Sequence, residues 1–126
     1  MAESKYFHSF RDLKEELSPG VRMCPFDGDR MTVSLMSVAP LTKGKGEDPH
    51  AHENEQINIY FEGKMNMMVD GQHQEVGPGW LVIVPPGVVH TGDVMEPTIQ
   101  INYSSPPRGK GYVQYMKDIT HTEDEE

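Results

Sequence analysis

Apolar and polar residues alternate along most of residues 30–105, at the period of a β-strand rather than of a helix. Met31–Val38 predicts a long strand and Ile57–Phe61 a second, with Glu62-Gly63 as a turn before Lys64–Val69. Asp70-Gly71 is a hairpin signal, and Gln72–Val76 returns from it. Gly77-Pro78-Gly79 turns again into Trp80–Val84, an apolar run that predicts a strand buried between two sheets. Pro85-Pro86-Gly87 ends that run, and His90–Val94 and Thr98–Tyr103 predict the last strong strands. Gly111–Met116, beyond Pro106-Pro107, predicts a final strand or a short helix. Near the start, Phe10, Leu13 and Leu17 have helical spacing, which predicts a short helix ending before Ser18-Pro19-Gly20. Thr42–Pro49 reads as a polar, Gly-rich loop.

About eight to ten short strands with turn signals between them are the pattern of a sandwich or small barrel. The fold class is therefore all-β. With 126 residues and no internal repeat, one domain is expected. The barrel is placed at residues 30–116, after an N-terminal arm and edge strand at 1–29 and before an acidic tail at 117–126. Twelve Gly and ten Pro suit so many turns.

A formal charge of −9 leaves no basic stripe to neutralise phosphates, so nucleic acid is not an expected partner. The run Glu123-Asp124-Glu125-Glu126 reads as a solvated end. A single cysteine, Cys24, cannot form an internal disulfide, which agrees with a reducing compartment. No apolar run reaches the length of a signal peptide or a membrane span, so a cytoplasmic protein is expected.

Candidate chemistry centres on histidine. His50 and His52 are two apart, a spacing that on a strand puts both imidazoles on one face, with Gln56, Asn58 and Tyr60 continuing along it. His90 arrives from the segment that opens at Gly79 and passes through Pro85-Pro86-Gly87. Two imidazoles side by side and a third from another strand can hold a divalent metal ion. His8, His73 and His121 lack such context. Alternation also puts Gln100, Asn102 and Ser104 on one face, expected to look into a cavity. Met36, Met65, Met67 and Met68 read as core filler or as the lining of an adaptable apolar pocket.

Two Gly-bounded segments resemble the two signatures of the cupin superfamily, whose fold is a double-stranded β-helix or jelly-roll barrel. Gly44, His50, His52 and Gly63 fall at the fixed positions of the first, with Gln56 where Glu is usual. Gly79, Pro85, Gly87 and His90 fall at those of the second, with Val94 in place of Asn. The resemblance implies one divalent ion (Zn, Fe, Ni or Mn) held by His50, His52, Gln56 and His90. A neutral amide in place of a carboxylate leaves more of the ion's charge uncompensated and makes it a stronger Lewis acid.

The His-x-His-x3-Gln form followed by Ser105-Pro106-Pro107-Arg108 is similar to the KdgF-type cupins, which linearise unsaturated uronates. That likeness implies Arg108 as the group that holds a substrate carboxylate bidentately. Tyr60 and Asn102 are the candidate catalytic residues, and Asn58, Gln100, Ser104 and Met36 join Arg108 as candidate substrate contacts. KdgF-type cupins usually carry Asp at the position of Asn102 and an aromatic at Ser104, and an Asn cannot serve as a general base.

Four functions remain open. One is Lewis-acid isomerisation, ring-opening or lyase chemistry on a small carboxylate or keto/enol substrate. Another is a three-histidine Fe(II) dioxygenase. The others are a polyketide-cyclase-like cupin, favoured by a long methionine-lined cavity, and a non-catalytic cupin that binds a small molecule or metal. A homodimer is expected, docked through the aromatic Tyr6–Phe10 segment.

Overall fold

The computed structural model describes residues 5–13, 15–18, 20–40 and 47–119. Gly44, most of the Thr42–Pro49 loop, His121 and the acidic run at 123–126 lie outside the described residues. Seven strands, a 3-10 turn and a helix follow in order. They are β1 (Glu16–Ser18), β2 (Val21–Asp27), β3 (Thr32–Val38), β4 (Glu55–Val69), β5 (Gln72–Val76), β6 (Leu81–Val84) and β7 (His90–Ser105), then Gly109–Gly111 and α1 (Tyr112–Ile119). All named strand pairs are antiparallel, in the order β1-β2-β3-β7-β4-β5, with β6 also on β4.

Two strands are longer than the pattern suggested. Glu62-Gly63 is not a turn: β4 runs through it and stays paired with β7, with register shifts between Tyr60 and Met65. Gly63 has φ 89°, and a Cβ there would collide with the Pro97 carbonyl and Thr98 Oγ1. Thr98 Oγ1 accepts from the Lys64 N–H at 3.2 Å and donates to the Glu96 carbonyl at 2.8 Å. The paired strands therefore bend together there without separating.

The expected helix near Phe10–Leu17 is absent: Phe10–Asp12 is a turn, and Glu16–Ser18 is β1, paired with β2. The hydrogen-bonding edge of β2 outweighs a helical spacing of only three apolar positions. Gly111–Met116 belongs to the helical option, as Tyr112, Met116 and Ile119 bury one face of α1. Trp80–Val84 is not buried between sheets. Val84 is enclosed, but Trp80, Leu81 and Ile83 stay about half exposed on the outer surface.

The inner face is polar where a core would be apolar. Thr32 and Ser34 of β3, Gln56 and Asn58 of β4, and Thr98, Gln100, Asn102 and Ser104 of β7 are all buried. The isoleucines between them, Ile57, Ile59, Ile99 and Ile101, point outward and are only partly buried. Buried polar side chains are costly unless they are partnered, and four of these, Gln56, Asn58, Gln100 and Asn102, line a cavity. Beyond Gly63 the same strands turn apolar: Met65 and Met67 are buried and pair with Val94 and Gly92. Among the described residues no helix is long and apolar enough to cross a membrane.

Candidate metal centre

His50 and His52 lie on the extended segment ahead of β4, not within a strand. A two-residue bridge fixes the first: the His50 N–H donates to the His90 carbonyl at 3.0 Å, and the His90 N–H returns a bond to His50 at 2.9 Å. The Gly87 N–H donates to the His52 carbonyl at 2.7 Å, so the turn after Pro85-Pro86 clips the second histidine in place. Gly87 has φ 77°, a conformation cheap only for glycine.

These ties bring the ring nitrogens of His50, His52 and His90 within 4.8 Å of one another. Each Nδ1 donates to a main-chain carbonyl: His50 to Asp48 at 2.7 Å, His52 to Asn54 at 2.9 Å and His90 to Val88 at 2.9 Å. A neutral ring with its proton on Nδ1 presents a bare lone pair at Nε2. His90 Nε2 is buried with no hydrogen-bond partner, which the lone-pair donor of a metal site explains. Burial pushes all three pKa values down, His90 to about 4, and the Arg108 charge adds to this at each. All three rings are thus held as neutral ligands, and the site fits a divalent ion.

Gln56 places an amide oxygen beside the three rings. Its Oε1 lies 3.0 Å from His52 Nε2. Metal–ligand distances of about 2.0–2.2 Å put adjacent donors about 3 Å apart at right angles, so the pair has the spacing of neighbouring ligands. Behind it, Gln56 Nε2 donates to Asn58 Oδ1 at 2.9 Å, and Asn58 Nδ2 donates to the Tyr60 hydroxyl at 3.2 Å. Burial raises the Tyr60 pKa to about 12, so this hydroxyl keeps its proton.

A cavity of about 470 Å³ opens from this cluster. Gln56, Asn58, Tyr60, Gln100, Asn102, Met36 and Arg108 line it, so the structure brings these sequence candidates together. Ser104 is buried opposite Gln56 but does not line the cavity. Met65, Met67 and Met116 form an apolar side, whereas Met68 does not take part. His73 is exposed on β5, and His8 packs on Phe26 with ring centres 4.5 Å apart.

Three residues escape sequence reasoning. Tyr112 and Tyr115 of α1 stack on Arg108, whose Cζ lies 4.3 Å and 5.1 Å from their ring centres. Their i, i+3 spacing was visible, but not that α1 would close the cavity over the histidines. The third is Glu47, from the irregular segment before His50, which also lines the cavity. Its carboxyl lies 3.8 Å from His50 Nδ1 and is pushed up to about 7 by burial, against hydrogen bonds from Gly92 and Thr91. No periodicity singles out a loop carboxylate.

Comparison with known proteins agrees with this fold. The cupin domain family matches residues 35–97. A RmlC-like cupin from Shewanella frigidimarina superposes with a TM-score of 0.75 at 22% identity, covering 86% of this chain and 97% of that one. KdgF from Halomonas sp. gives 0.73 at 20% identity, covering 84% and 97%. Oxalate decarboxylase from Bacillus subtilis, a protein with Mn(II) centres, gives 0.70 at 17% identity, covering 83% of this chain and 30% of that one. No curated protein has a matching sequence.

Proposed function

The chain belongs to the cupin domain family, and on that premise we propose that it is a metal-dependent enzyme for a small oxygenated acid. The reaction class is Lewis-acid isomerisation, ring opening or lyase-type cleavage of a carboxylate or keto/enol substrate. The observation that carries this reading is the convergence of three neutral imidazoles and the Gln56 oxygen beside a cationic side chain. A divalent ion held by His50, His52, His90 and Gln56 supplies polarisation of a substrate oxygen without any charge from its ligands.

The remaining work falls to the chain's own side chains. Arg108 holds the substrate carboxylate with its planar fork, which no carboxylate occupies among the described residues. Tyr60 and Asn102 orient oxygen atoms by hydrogen bonding, and neither acts as a base. Glu47, its carboxyl pushed up to about 7 by burial, can hold or release a proton near neutral pH. The shared fold with KdgF from Halomonas sp. makes an unsaturated uronate the first substrate to assay. Turnover is expected under anaerobic conditions with metal-loaded protein. Full activity of His50→Ala after metal depletion would sink the reading.

One observation favours a second reading. Among the described residues the cluster has three histidines and no carboxylate with them, an arrangement open to Fe(II) oxygen chemistry. Substrate-dependent oxygen uptake by Fe-loaded protein would choose it over the first.

A homodimer belongs to the same proposal, with the cytoplasm as its place of work. Support comes from the outward apolar side chains of β3, β4, β6 and β7, and from Tyr6 and Phe7, both more than 80% exposed.

A further inference from the structure

The hydrogen bonds behind Gln56 have a direction, and that direction has a chemical consequence. The ladder His52–Gln56–Asn58–Tyr60 runs along the inner face of β4, where the last three are at least nine-tenths buried. Two amides in a row can be ordered in either of two polarities. In one, Tyr60 donates to Asn58, Asn58 to Gln56, and the Gln56 –NH2 points at His52 Nε2. In the other, the Gln56 oxygen faces His52 Nε2, each amide donates away from the histidines, and the Tyr60 oxygen accepts last. The structure has the second order.

With His52 neutral, a cation at the histidines accounts for this order. His52 Nδ1 carries its proton to the Asn54 carbonyl, so His52 Nε2 and Gln56 Oε1 are two acceptors facing each other with no proton between them. A cation between two lone pairs removes that conflict, whereas it would repel an –NH2 group. At the far end Tyr60 has spent its oxygen on Asn58, and among the described residues nothing accepts its proton. Tyr60 lines the cavity, so the proton is left for a ligand there.

We propose that Asn58 is a positioning residue which holds Gln56 oxygen-first on the metal and thereby turns the Tyr60 hydroxyl to donate to an acceptor oxygen of the bound ligand. The ladder joins the two ends of the site: metal occupancy sets the polarity, and the polarity sets what Tyr60 recognises. It selects ligands with a carbonyl, enolate or carboxylate oxygen near Tyr60 over ligands that offer only a donor. This inference rests on the metal reading above.

Co(II) tests it, since its visible spectrum reports the number and kind of donor atoms. Wild-type protein is expected to bind Co(II) in a His50-dependent way. Asn58→Leu is expected to lose about tenfold in Co(II) affinity and to shift the spectrum in the same direction as Gln56→Leu. Thermal melts show which variants fold. Tyr60→Phe, which keeps the ring and removes only the hydroxyl, covers the case in which Asn58→Leu does not. Loaded with Co(II), it should bind acetohydroxamate about tenfold more weakly than wild type, the worth of one hydrogen bond to a charged acceptor. A wild-type spectrum and affinity in folded Asn58→Leu would overturn the ladder while leaving the metal site intact. Unchanged acetohydroxamate binding by Tyr60→Phe would do the same. Co(II) binding that ignores His50→Ala would instead overturn the metal reading, and the ladder with it.

Discussion

The guanidinium of Arg108 lies over the ring of Tyr112, its Cζ 4.3 Å from the ring centre. Its backbone N–H donates to Thr32 Oγ1 at 2.7 Å, so both ends of the residue are fixed to buried partners. A stacked guanidinium keeps its edge free for a carboxylate and loses little entropy on binding one. Arg108→Lys keeps the charge but neither the stack nor the fork. Binding of an acidic ligand to the metal-loaded protein is expected to weaken by about 10–100-fold in either Arg108→Lys or Arg108→Met. Isothermal titration with the same ligand checks this. A wild-type constant for Arg108→Lys would show that charge alone suffices.

Glu47 makes stability depend on pH with a defined sign. Its folded pKa, about 7, is above the ordinary 4.5 of an exposed glutamate because burial disfavours the carboxylate. The folded state therefore binds the proton more tightly than the unfolded state does. That contribution is largest below the unfolded pKa and is lost as pH rises through the folded one. In metal-free protein, Glu47→Gln should gain Tm relative to wild type between pH 5 and pH 8. Parallel melting curves across that range would remove Glu47 from the account.

Gly63 sits where β4 and β7 bend together, at φ 89° and with no room for a Cβ beside Pro97 and Thr98. Gly63→Ala meets strain and collision at once, and the atoms in the way include backbone. A loss of about 2–4 kcal/mol is expected, read from urea denaturation. Gly71→Ala is the comparison. Its φ is 79° but nothing lies within 4 Å of the added carbon, so it should cost less.

That contrast shows what the sequence could and could not disclose. The glycine spacing ahead of His90 was legible because Gly79 and Gly87 each answer a local backbone demand, at φ 88° and 77°. Gly63 was legible as special but misread as a turn, since the collision that requires it comes from β7, distant in the chain. The edge strand expected within 1–29 is met by β1 and β2, where Pro25 sits in full register opposite Ser34. Trp80–Val84 looked buried because an apolar run does not say how many of its faces are covered. The polar inner face was visible as alternation, with Gln100, Asn102 and Ser104 placed together. Glu47 and the α1 tyrosines depend on how loops and a helix close over the barrel, which no period encodes.

The outer face of the barrel explains where that apolar run is spent. In register, Leu81 of β6 lies opposite Ile59 of β4, Ile59 opposite Ile101 of β7, and Ile101 opposite Leu35 of β3. Four apolar side chains thus form one row across four strands, about 15 Å wide at the usual strand spacing. Ile83, Ile57 and Tyr103 form a second row beside it. Leu81 and Ile83, at the edge of both rows, are 51% and 52% exposed, which costs solubility unless something covers them. A second copy of the chain, packed sheet on sheet, would cover both rows by one symmetric contact. Light scattering is expected to give twice the chain mass for wild type and the single mass for the double variant Leu81→Lys and Ile83→Lys, with thermal stability and Co(II) binding retained. If removal of residues 1–10 yields a monomer while the lysine variant stays dimeric, the dimer is built by the Tyr6–Phe10 arm instead. A wild-type monomer at micromolar concentration would leave both rows without this explanation.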